Sequence, residues 1–200
     1  ARLVTIFGRV YSSVEVETIT GESTPFLAEE TFAALMSLAD IEKKPVTVVL
    51  NNRGGSMTAA MLIIDAIEHL QAQGIEVRML VIGSSMGVST AILSSGTKGC
   101  RYALGRSLIH LNSFRLSNLK DFDPEDFETI RQHNDTQRQY LYKVLAEKTR
   151  LPEYFRKVVM EENQPNPDLD FANAEFRNDQ ICELLRKKDQ LFLSPEEALE

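Results

Sequence analysis

Ser85 lies at the centre of a segment that reads Gly-Ser-Ser-Met-Gly over residues 83–87. This is the G-x-S-x-G pattern, in which flanking glycines tolerate a sharp strand-to-helix turn and leave the serine hydroxyl exposed. The N–H of Met86 would then lie at a helix N-terminus, where free donors and the helix dipole stabilise a developing oxyanion. The pattern therefore indicates acyl transfer through a serine. An ordinary turn of small residues before a helix is the alternative.

A pair of glycines, Gly54 and Gly55, follows another apolar run of the chain. Because glycine has no side chain to shield its backbone, an N–H of this pair could point outwards and form an oxyanion hole together with the N–H of Met86. One such donor contributes roughly 3 kcal/mol of transition-state stabilisation. A plain tight turn is the alternative for this pair as well.

A serine nucleophile needs a general base, and the chain has three histidines. His69 and His133 have charged or polar neighbours in predicted helices, so we expect both to be solvated. His110 ends an apolar strand pattern, where it is either a core residue or a base held on a rigid element. The α/β-hydrolases also use G-x-S-x-G, but their histidine follows the acid as the last member of the triad. No histidine follows His133, so the order of residues argues against that class.

Composition excludes several other classes of function. The formal net charge of −7 argues against nucleic acid as the main partner, since phosphate binding needs a basic face. Cys100 and Cys182 do not suggest a disulfide framework, and without CxxC or HExxH patterns we expect no metal and no organic cofactor. The opening residues predict a strand and not a signal peptide, and no apolar run approaches the roughly 18 residues of a membrane helix. We therefore expect a cytoplasmic protein without a membrane partner.

Strands and helices alternate along the first half of the chain. The patterns predict strands at 3–10, 46–50, 75–82, 101–103 and 107–111, and helices at 28–38, 58–70 and 88–95. This alternation is typical of an α/β fold with largely parallel strands, whose right-handed crossovers bring the loops after the strands to one side. The predicted turns at 51–55 and 83–87 would both lie there, where such sheets build their sites.

A long helix is predicted in the second half of the chain. Asp123 and Pro124 form a good start, with Asp as N-cap and Pro at the first helical position, and the pattern continues to Lys148. A helix of about 25 residues is about 37 Å long. So long a helix usually projects from a compact domain or packs on a neighbouring molecule.

Several stretches resemble the Clp protease proteolytic subunit family (ClpP) in order and spacing. They are S-M-G at 85–87, S-S-G-T-K-G-C-R-Y-A-L at 94–104, I-H at 109–110, V-L-N-N-R-G-G-S at 49–56 and F-L-S-P-E-E-A at 192–198, together with A-R-L at 1–3 and I-F-G at 6–8. The resemblance covers most of the chain from 3 to about 160, and then 189–200. It implies a ClpP/crotonase-like fold of repeated βαβ units, as one peptidase domain over 1–200.

The resemblance also implies a function and a site. The long helix at about 123–148 resembles the handle that interlocks two stacked seven-membered rings. Unfolded polypeptides would be cleaved inside the enclosed chamber, with an ATP-driven unfoldase as a possible partner. Carried over by motif, Ser85 is the nucleophile and His110 its base, while the N–H groups of Gly55 and Met86 form the oxyanion hole.

The sequence departs from the family at the third member of the triad. The family's acid lies four residues before the serine of F-L-S, and that position is Gln190 here. Asp189 is its neighbour, and a one-residue bulge would bring it into place as the catalytic acid. About 30 extra residues, roughly 161–188, form an insertion between the handle region and this segment.

Two other functions remain open from the sequence. One is a non-catalytic ClpP-like ring subunit or scaffold with an impaired triad, which the shift at Gln190 motivates. The other is a crotonase-like acyl-CoA enzyme, which shares the fold and a backbone oxyanion hole. Such an enzyme would normally use Glu or Asp as acid and base, and would not need a serine at a turn.

Overall fold

A sheet forms where the sequence has its β-branched and apolar runs, since such side chains pack well on a pleated, buried surface. The strands are β1 (Leu3–Val10), β2 (Val46–Gly55), β3 (Val77–Met86), β4 (Arg101–Ala103), β5 (Leu108–Asn112) and β6 (Gln190–Leu193). Their order in the sheet is β1-β2-β3-β5-β6, and β4 also pairs with β3. The pairs β1–β2, β2–β3, β3–β4 and β3–β5 are all parallel. The predicted α/β architecture is therefore confirmed.

The structure, a computed structural model, describes residues 2–11, 27–112, 127–154, 190–195 and 198. The chain divides into two compact units, the first of residues 1–111 and 191–200 and the second of residues 112–190. The single peptidase domain predicted over 1–200 stays a prediction. The predicted insertion at about 161–188 lies outside the described residues.

Three helices of the first unit cover the sheet and build its core. They are α1 (Leu27–Ile41), α2 (Met57–Ala72) and α3 (Val88–Ser95). α2 packs on both α1 and α3, and α3 packs on β2 and β3. The largest fully buried side chains of this unit come from strands and helices alike, and include Ile6, Leu35, Leu50, Ile63, Ile67, Met79 and Ile92. Their burial is what fixes the positions of the strand ends that carry the candidate residues.

The loop predicted at 51–55 and the tight turn predicted at 83–87 are strand over most of their length. β2 continues to Gly55, where it pairs with Val10 of β1, and β3 continues to Met86. A register shift in each of the pairings β1–β2 and β2–β3 marks an irregularity of the β-bulge kind, which accommodates glycine within a strand. Pairing with neighbouring strands has overridden the loop-forming composition, so the prediction was wrong for residues 51–55 and 83–86.

The second unit contains the long helix α4 (Phe127–Lys148), which has 22 residues and a length of about 33 Å. It ends at Lys148 as predicted, while the predicted start at 123–124 lies outside the described residues. Ion pairs between neighbouring turns lie on its surface, at Glu128–Arg131, Asp135–Arg138 and Lys143–Glu147. A stripe at helical spacing is buried, formed by Asn134, Gln137, Leu141 and Leu145. The handle role of α4 stays a prediction.

Among the described residues, the helices all fall short of the length and apolar character that crossing a membrane requires. The same part of the chain holds no group of three or more His, Cys, Asp or Glu residues that could bind a metal ion.

Candidate active site

The candidate nucleophile and base lie on neighbouring strands. β3 and β5 pair in parallel so that Ser85 is opposite Ile109 and Met86 is opposite His110. The N–H of Gly87 donates to the backbone oxygen of His110 at 3.0 Å, which ties the two strand ends together. Neighbouring strands of a sheet lie about 4.8 Å apart. Positions 85 and 110 thus lie on neighbouring strands although 24 residues separate them in the sequence. The register puts the Ser85 side chain on the same face as that of Ile109, and the His110 side chain on the other face with that of Met86.

A single residue, Gly87, connects the end of β3 to the start of the next helix. Gly87 is the N-cap of α3 and has φ 55° and ψ −126°, a conformation that only glycine adopts without strain. Helix α3 begins at Val88, so its positive N-terminal end lies next to the end of β3. The sharp bend that the G-x-S-x-G pattern predicts is present, but it follows Met86 and does not include Ser85.

Ser85 itself is fully buried, with 0% of its surface exposed. The expectation that its hydroxyl would be exposed at the turn was therefore wrong. The physical reason is the continuation of β3: Ser85 is opposite Asn52 of β2 on one edge and Ile109 of β5 on the other. Its Oγ forms a hydrogen bond of 3.1 Å with the Oγ of Ser89, the second residue of α3.

His110 is half-buried and has an aromatic neighbour. Its ring stacks on that of Phe192 in β6, with centroids 4.2 Å apart and planes 7° from parallel. Burial lowers the pKa of the His110 imidazole below its ordinary value of 6.5, because the charged form is poorly solvated there. Its Nε2 atom is buried and has no hydrogen-bond partner within the described part of the chain. Burial therefore favours the neutral form of the His110 imidazole.

The end of β2 lies directly against the end of β3. Gly54 has φ 92°, and a Cβ added to it would lie 3.1 Å from the backbone oxygen of Met86. The N–H of Gly54 donates to Oδ1 of Asn52 at 2.8 Å, which holds the backbone in this conformation. Gly55 and Met86, the two predicted oxyanion donors, thus belong to neighbouring strand ends. Their role as donors stays a prediction.

Comparison with known proteins supplies the family. The sequence model of the Clp protease family matches residues 1–162 of the chain. The chain belongs to the Clp protease family. The match spans β1 to β5 and α4, and it confirms both the resemblance and the ClpP-type α/β fold.

Individual Clp protease subunits are similar over a shorter stretch. The chain is 36% identical over 112 residues to the ATP-dependent Clp protease proteolytic subunit 2 of Chlamydia abortus, which covers 54% of this chain and 53% of that protein. The subunit 2 of Chlamydia pneumoniae is 34% identical over 112 residues, with the same coverage of 54% and 53%. That of Bacillus licheniformis is 30% identical over 108 residues, covering 54% of this chain and 55% of the relative. The chain spans about half the length of the curated relatives it matches.

Two asparagines, Asn51 and Asn52, bind backbone and side-chain groups at the candidate site, a role that was not predicted from the sequence. Oδ1 of Asn51 accepts hydrogen bonds from both the N–H and the hydroxyl of Ser84, each at 3.2 Å. Asn52 is fully buried and binds the Gly54 N–H. Asparagine side chains commonly bond nearby backbone groups, so their position after an apolar strand was the available signal.

Ser89 and Phe192 were also missed as neighbours of the candidate residues. Ser89 lies four residues after Ser85, but Ser85 belongs to a strand and Ser89 to a helix. Neither the strand period nor the helix period therefore predicts their contact. Phe192 is far from His110 in sequence, and nothing in its local pattern signals a ring stack.

The candidate acid remains untested. Asp189 lies outside the described residues, so its predicted place beside His110 stays a prediction. Gln190, the residue at the family's acid position, is the first residue of β6, which also carries Phe192. The segment that should supply the acid is thus continuous with the strand that packs on the candidate base.

The other two histidines are solvated, as predicted. His69 in α2 and His133 in α4 are both exposed. Each forms a hydrogen bond with a glutamine one turn further along its own helix, Gln73 at 2.7 Å and Gln137 at 3.0 Å. Neither has the burial that characterises His110.

Proposed function

We propose that this chain is the proteolytic subunit of a ClpP-type serine endopeptidase that cleaves unfolded polypeptides by acyl transfer. The proposal is carried by the match of the Clp protease family model to residues 1–162. The pairing of β3 with β5 supports it, since it brings the strands of Ser85 and His110 side by side. The start of α3 and the glycines of β2 lie next to this pair. Membership of the Clp protease family supports the same chemistry.

In the proposed mechanism, the Ser85 oxygen attacks the peptide carbonyl while Nε2 of His110 takes up the hydroxyl proton. The N–H groups of Gly55 and Met86 stabilise the oxyanion of the tetrahedral intermediate. His110 then gives the proton to the leaving amine, and an ester between Ser85 and the acyl group remains. Water attacks this ester in a second round of the same steps. Asp189 would orient the imidazole and stabilise its charged form.

The proposal extends to assembly. Subunits would form two stacked seven-membered rings in the cytoplasm, interlocked through α4, and an ATP-driven Clp unfoldase would deliver substrates. The names of the curated relatives support the last point, since each is called a proteolytic subunit of an ATP-dependent Clp protease. The length of α4 supports a role in contacts between subunits.

A fluorophosphonate probe tests the catalytic part of the proposal, since it reacts with activated serine nucleophiles. The assembled protein should be labelled on Ser85, and Ser85→Ala should remove the label. Ser84→Ala is the matched control, because Ser84 is next to Ser85 in the chain but its hydroxyl donates to Asn51. This variant should still be labelled. An assembled protein that stays unlabelled would argue against a peptidase.

A non-catalytic ring subunit is the second candidate function. It is favoured by the hydrogen bond of Ser85 to Ser89 in place of His110, and by Gln190 at the family's acid position. Peptide cleavage by wild type and by Asp189→Ala separates the two functions. Loss of a triad carboxylate can lower the rate by about 10⁴-fold, so a large loss supports the enzyme. Equal rates near zero in both proteins support the scaffold.

We expect labelling to depend on pH through His110. The neutral imidazole is the base, so the labelling rate should fall as the pH drops through the pKa of this group. Because burial lowers that pKa, half-maximal labelling should occur below pH 6.5. The measurement is the labelling rate across a pH series, with His69→Ala giving the same curve. A midpoint above 6.5 would contradict the assignment of His110 as a desolvated base.

Replacing Phe192 with leucine should weaken the site without destroying it. The variant loses the ring stack that orients His110 and shields it from water, so the labelling rate should fall about three- to tenfold. The pH midpoint should also move up towards 6.5, because the imidazole becomes better solvated. Phe192→Tyr keeps the stack and serves as the control. If Phe192→Leu leaves both the rate and the midpoint unchanged, Phe192 has no part in positioning His110.

A further inference from the structure

Two arginines lie across from each other where β1 and β2 reach the carboxyl end of the sheet. In the β1–β2 pairing, the residue before Arg9 is opposite Asn52 and the residue after it is opposite Gly55. Arg9 therefore lies across from the short stretch of β2 that begins with Arg53. Both arginines are exposed. They place two cations on adjacent strands, next to Gly55, one of the proposed oxyanion donors.

Both arginine side chains belong to the exposed face of these strands. Successive side chains of a strand point to opposite faces. Phe7 is opposite Asn51 and both are exposed, whereas Asn52 is fully buried on the other face. Two residues further along each strand, Arg9 and Arg53 continue the exposed rows.

The same face carries His110. Asn52 is opposite Ser85 on the buried face, and Ser85 points away from the face of His110. Arg53, which follows Asn52, is therefore on the face of His110. The two are also level along the strands, because Met86, which follows Ser85, is opposite His110. One strand, β3, separates β2 from β5, so the two side chains start roughly 10 Å apart.

Neither arginine has a carboxylate partner among the described residues. Arg9 donates to the hydroxyl of Tyr11 at 3.1 Å, and Arg53 forms no hydrogen bond or ion pair within this part of the chain. Arginines elsewhere do pair with a carboxylate, namely Arg78, Arg131, Arg138 and Arg150. Like charges that face each other across strands are destabilising. Two facing cations without an acid are the arrangement that an anion from outside the chain would stabilise.

We propose that Arg9 and Arg53 form a specificity subsite that binds the carboxylate of an acidic side chain in the polypeptide substrate. A guanidinium group binds a carboxylate through paired N–H donors. The roughly 10 Å between Arg53 and His110 corresponds to about three residues of extended chain. The acidic residue would therefore lie about three positions from the bond that is cleaved. The inference rests on the proposed function for that bond, but carboxylate binding itself needs no catalysis.

Peptide binding to the assembled protein, measured by fluorescence anisotropy, tests the subsite. Three short labelled peptides share one sequence: the first has a Glu and an amidated C-terminus, the second has Gln in place of Glu, and the third is the Gln peptide with a free C-terminal carboxylate. We expect the Glu peptide to bind about three- to tenfold more tightly than the amidated Gln peptide. High salt should reduce this preference, because it screens exposed charges.

Variants of the arginines show whether the preference belongs to this subsite. Arg53→Gln should abolish it, and Arg53→Lys should keep only part of it, because lysine retains the charge but not the planar fork of donors. Arg78→Gln is the matched control: it removes the same charge from the start of β3, where Arg78 pairs with Glu76, and should keep the full preference. The urea midpoint of Arg53→Gln should be no lower than that of wild type, because a repulsion between like charges is removed.

The outcomes separate this inference from the proposed function. A preference for the Glu peptide that is lost in Arg53→Gln supports the subsite, even if the protein cleaves none of the peptides and the peptidase fails. Tighter binding of the free C-terminus alone would overturn the assignment to an acidic side chain. Equal affinity for all three peptides, no binding of any of them, or a preference that survives in Arg53→Gln would overturn the subsite, while cleavage of the peptides would leave the peptidase standing.

Discussion

Replacing His110 with alanine should lower both peptide cleavage and probe labelling of Ser85 by about 10⁶-fold, close to the level of Ser85→Ala. The serine hydroxyl is a weak nucleophile at neutral pH, and it becomes reactive only when a base removes its proton as it attacks. His110 is the histidine whose strand is paired with that of Ser85. The measurement is the cleavage rate of a fluorogenic peptide by the assembled protein.

The chain provides two matched controls for this experiment. His69 and His133 are exposed on α2 and α4, and each bonds a glutamine of its own helix. Their alanine variants should retain rates within about twofold of wild type, because neither imidazole is placed beside the nucleophile. A His110→Ala protein that cleaves at a tenth of the wild-type rate or faster would rule out His110 as the base.

The second large effect is expected on stability, from Gly55→Ala. A Cβ at this position would lie 1.9 Å from the backbone oxygen of Val10 and 2.6 Å from its nitrogen. Both are backbone atoms of β1, so no side chain can rotate away. Gly55 also has φ 145°, where alanine is strained. The free energy of unfolding should fall by about 3 kcal/mol or more. Urea unfolding followed by circular dichroism measures it.

Alanine variants at two other glycines distinguish the effect of a steric clash from the effect of backbone strain at a positive φ. Gly74 has φ 78° but open space around it, so Gly74→Ala should cost only about 1 kcal/mol. Gly105 has neither a close neighbour nor a positive φ, and Gly105→Ala should change stability by no more than about 0.5 kcal/mol. If Gly55→Ala were no less stable than Gly74→Ala, the close packing of β1 against β2 at this point would be refuted.

Local patterns were sufficient for the elements whose sequences are uninterrupted. The strand at 3–10 and the helix at 88–95 were predicted with the bounds that the structure has. Val4, Ile6 and Val10 follow the period of a strand, and Val88, Ala91 and Ile92 follow that of a helix. Gly8 lies inside the strand and causes only a register shift against β2. The ends of β2 and β3 could not be predicted in this way, since Gly55 and Met86 are kept in strands by partners elsewhere in the chain.

At the candidate site, too, local patterns predicted some features, while others depend on residues far away in the sequence. The G-x-S-x-G pattern and the apolar strand ending at 110 identified Ser85 and His110 as residue types able to do chemistry. The burial of Ser85 was not predictable, because it depends on neighbouring strands on both of its edges. The stack on Phe192 depends on the order of strands in the sheet, which no local pattern encodes.

The place of β6 beside β5 has a consequence for biosynthesis. A chain emerging from the ribosome presents β1 to β5 well before β6, and early segments can begin to fold while later ones are still being made. Until Phe192 emerges, the imidazole of His110 lacks the aromatic ring that covers it. A ribosome-bound fragment that lacks β6 therefore has its strand β5 without the neighbour that supplies the stacked ring, so the surroundings of His110 are completed only late in synthesis.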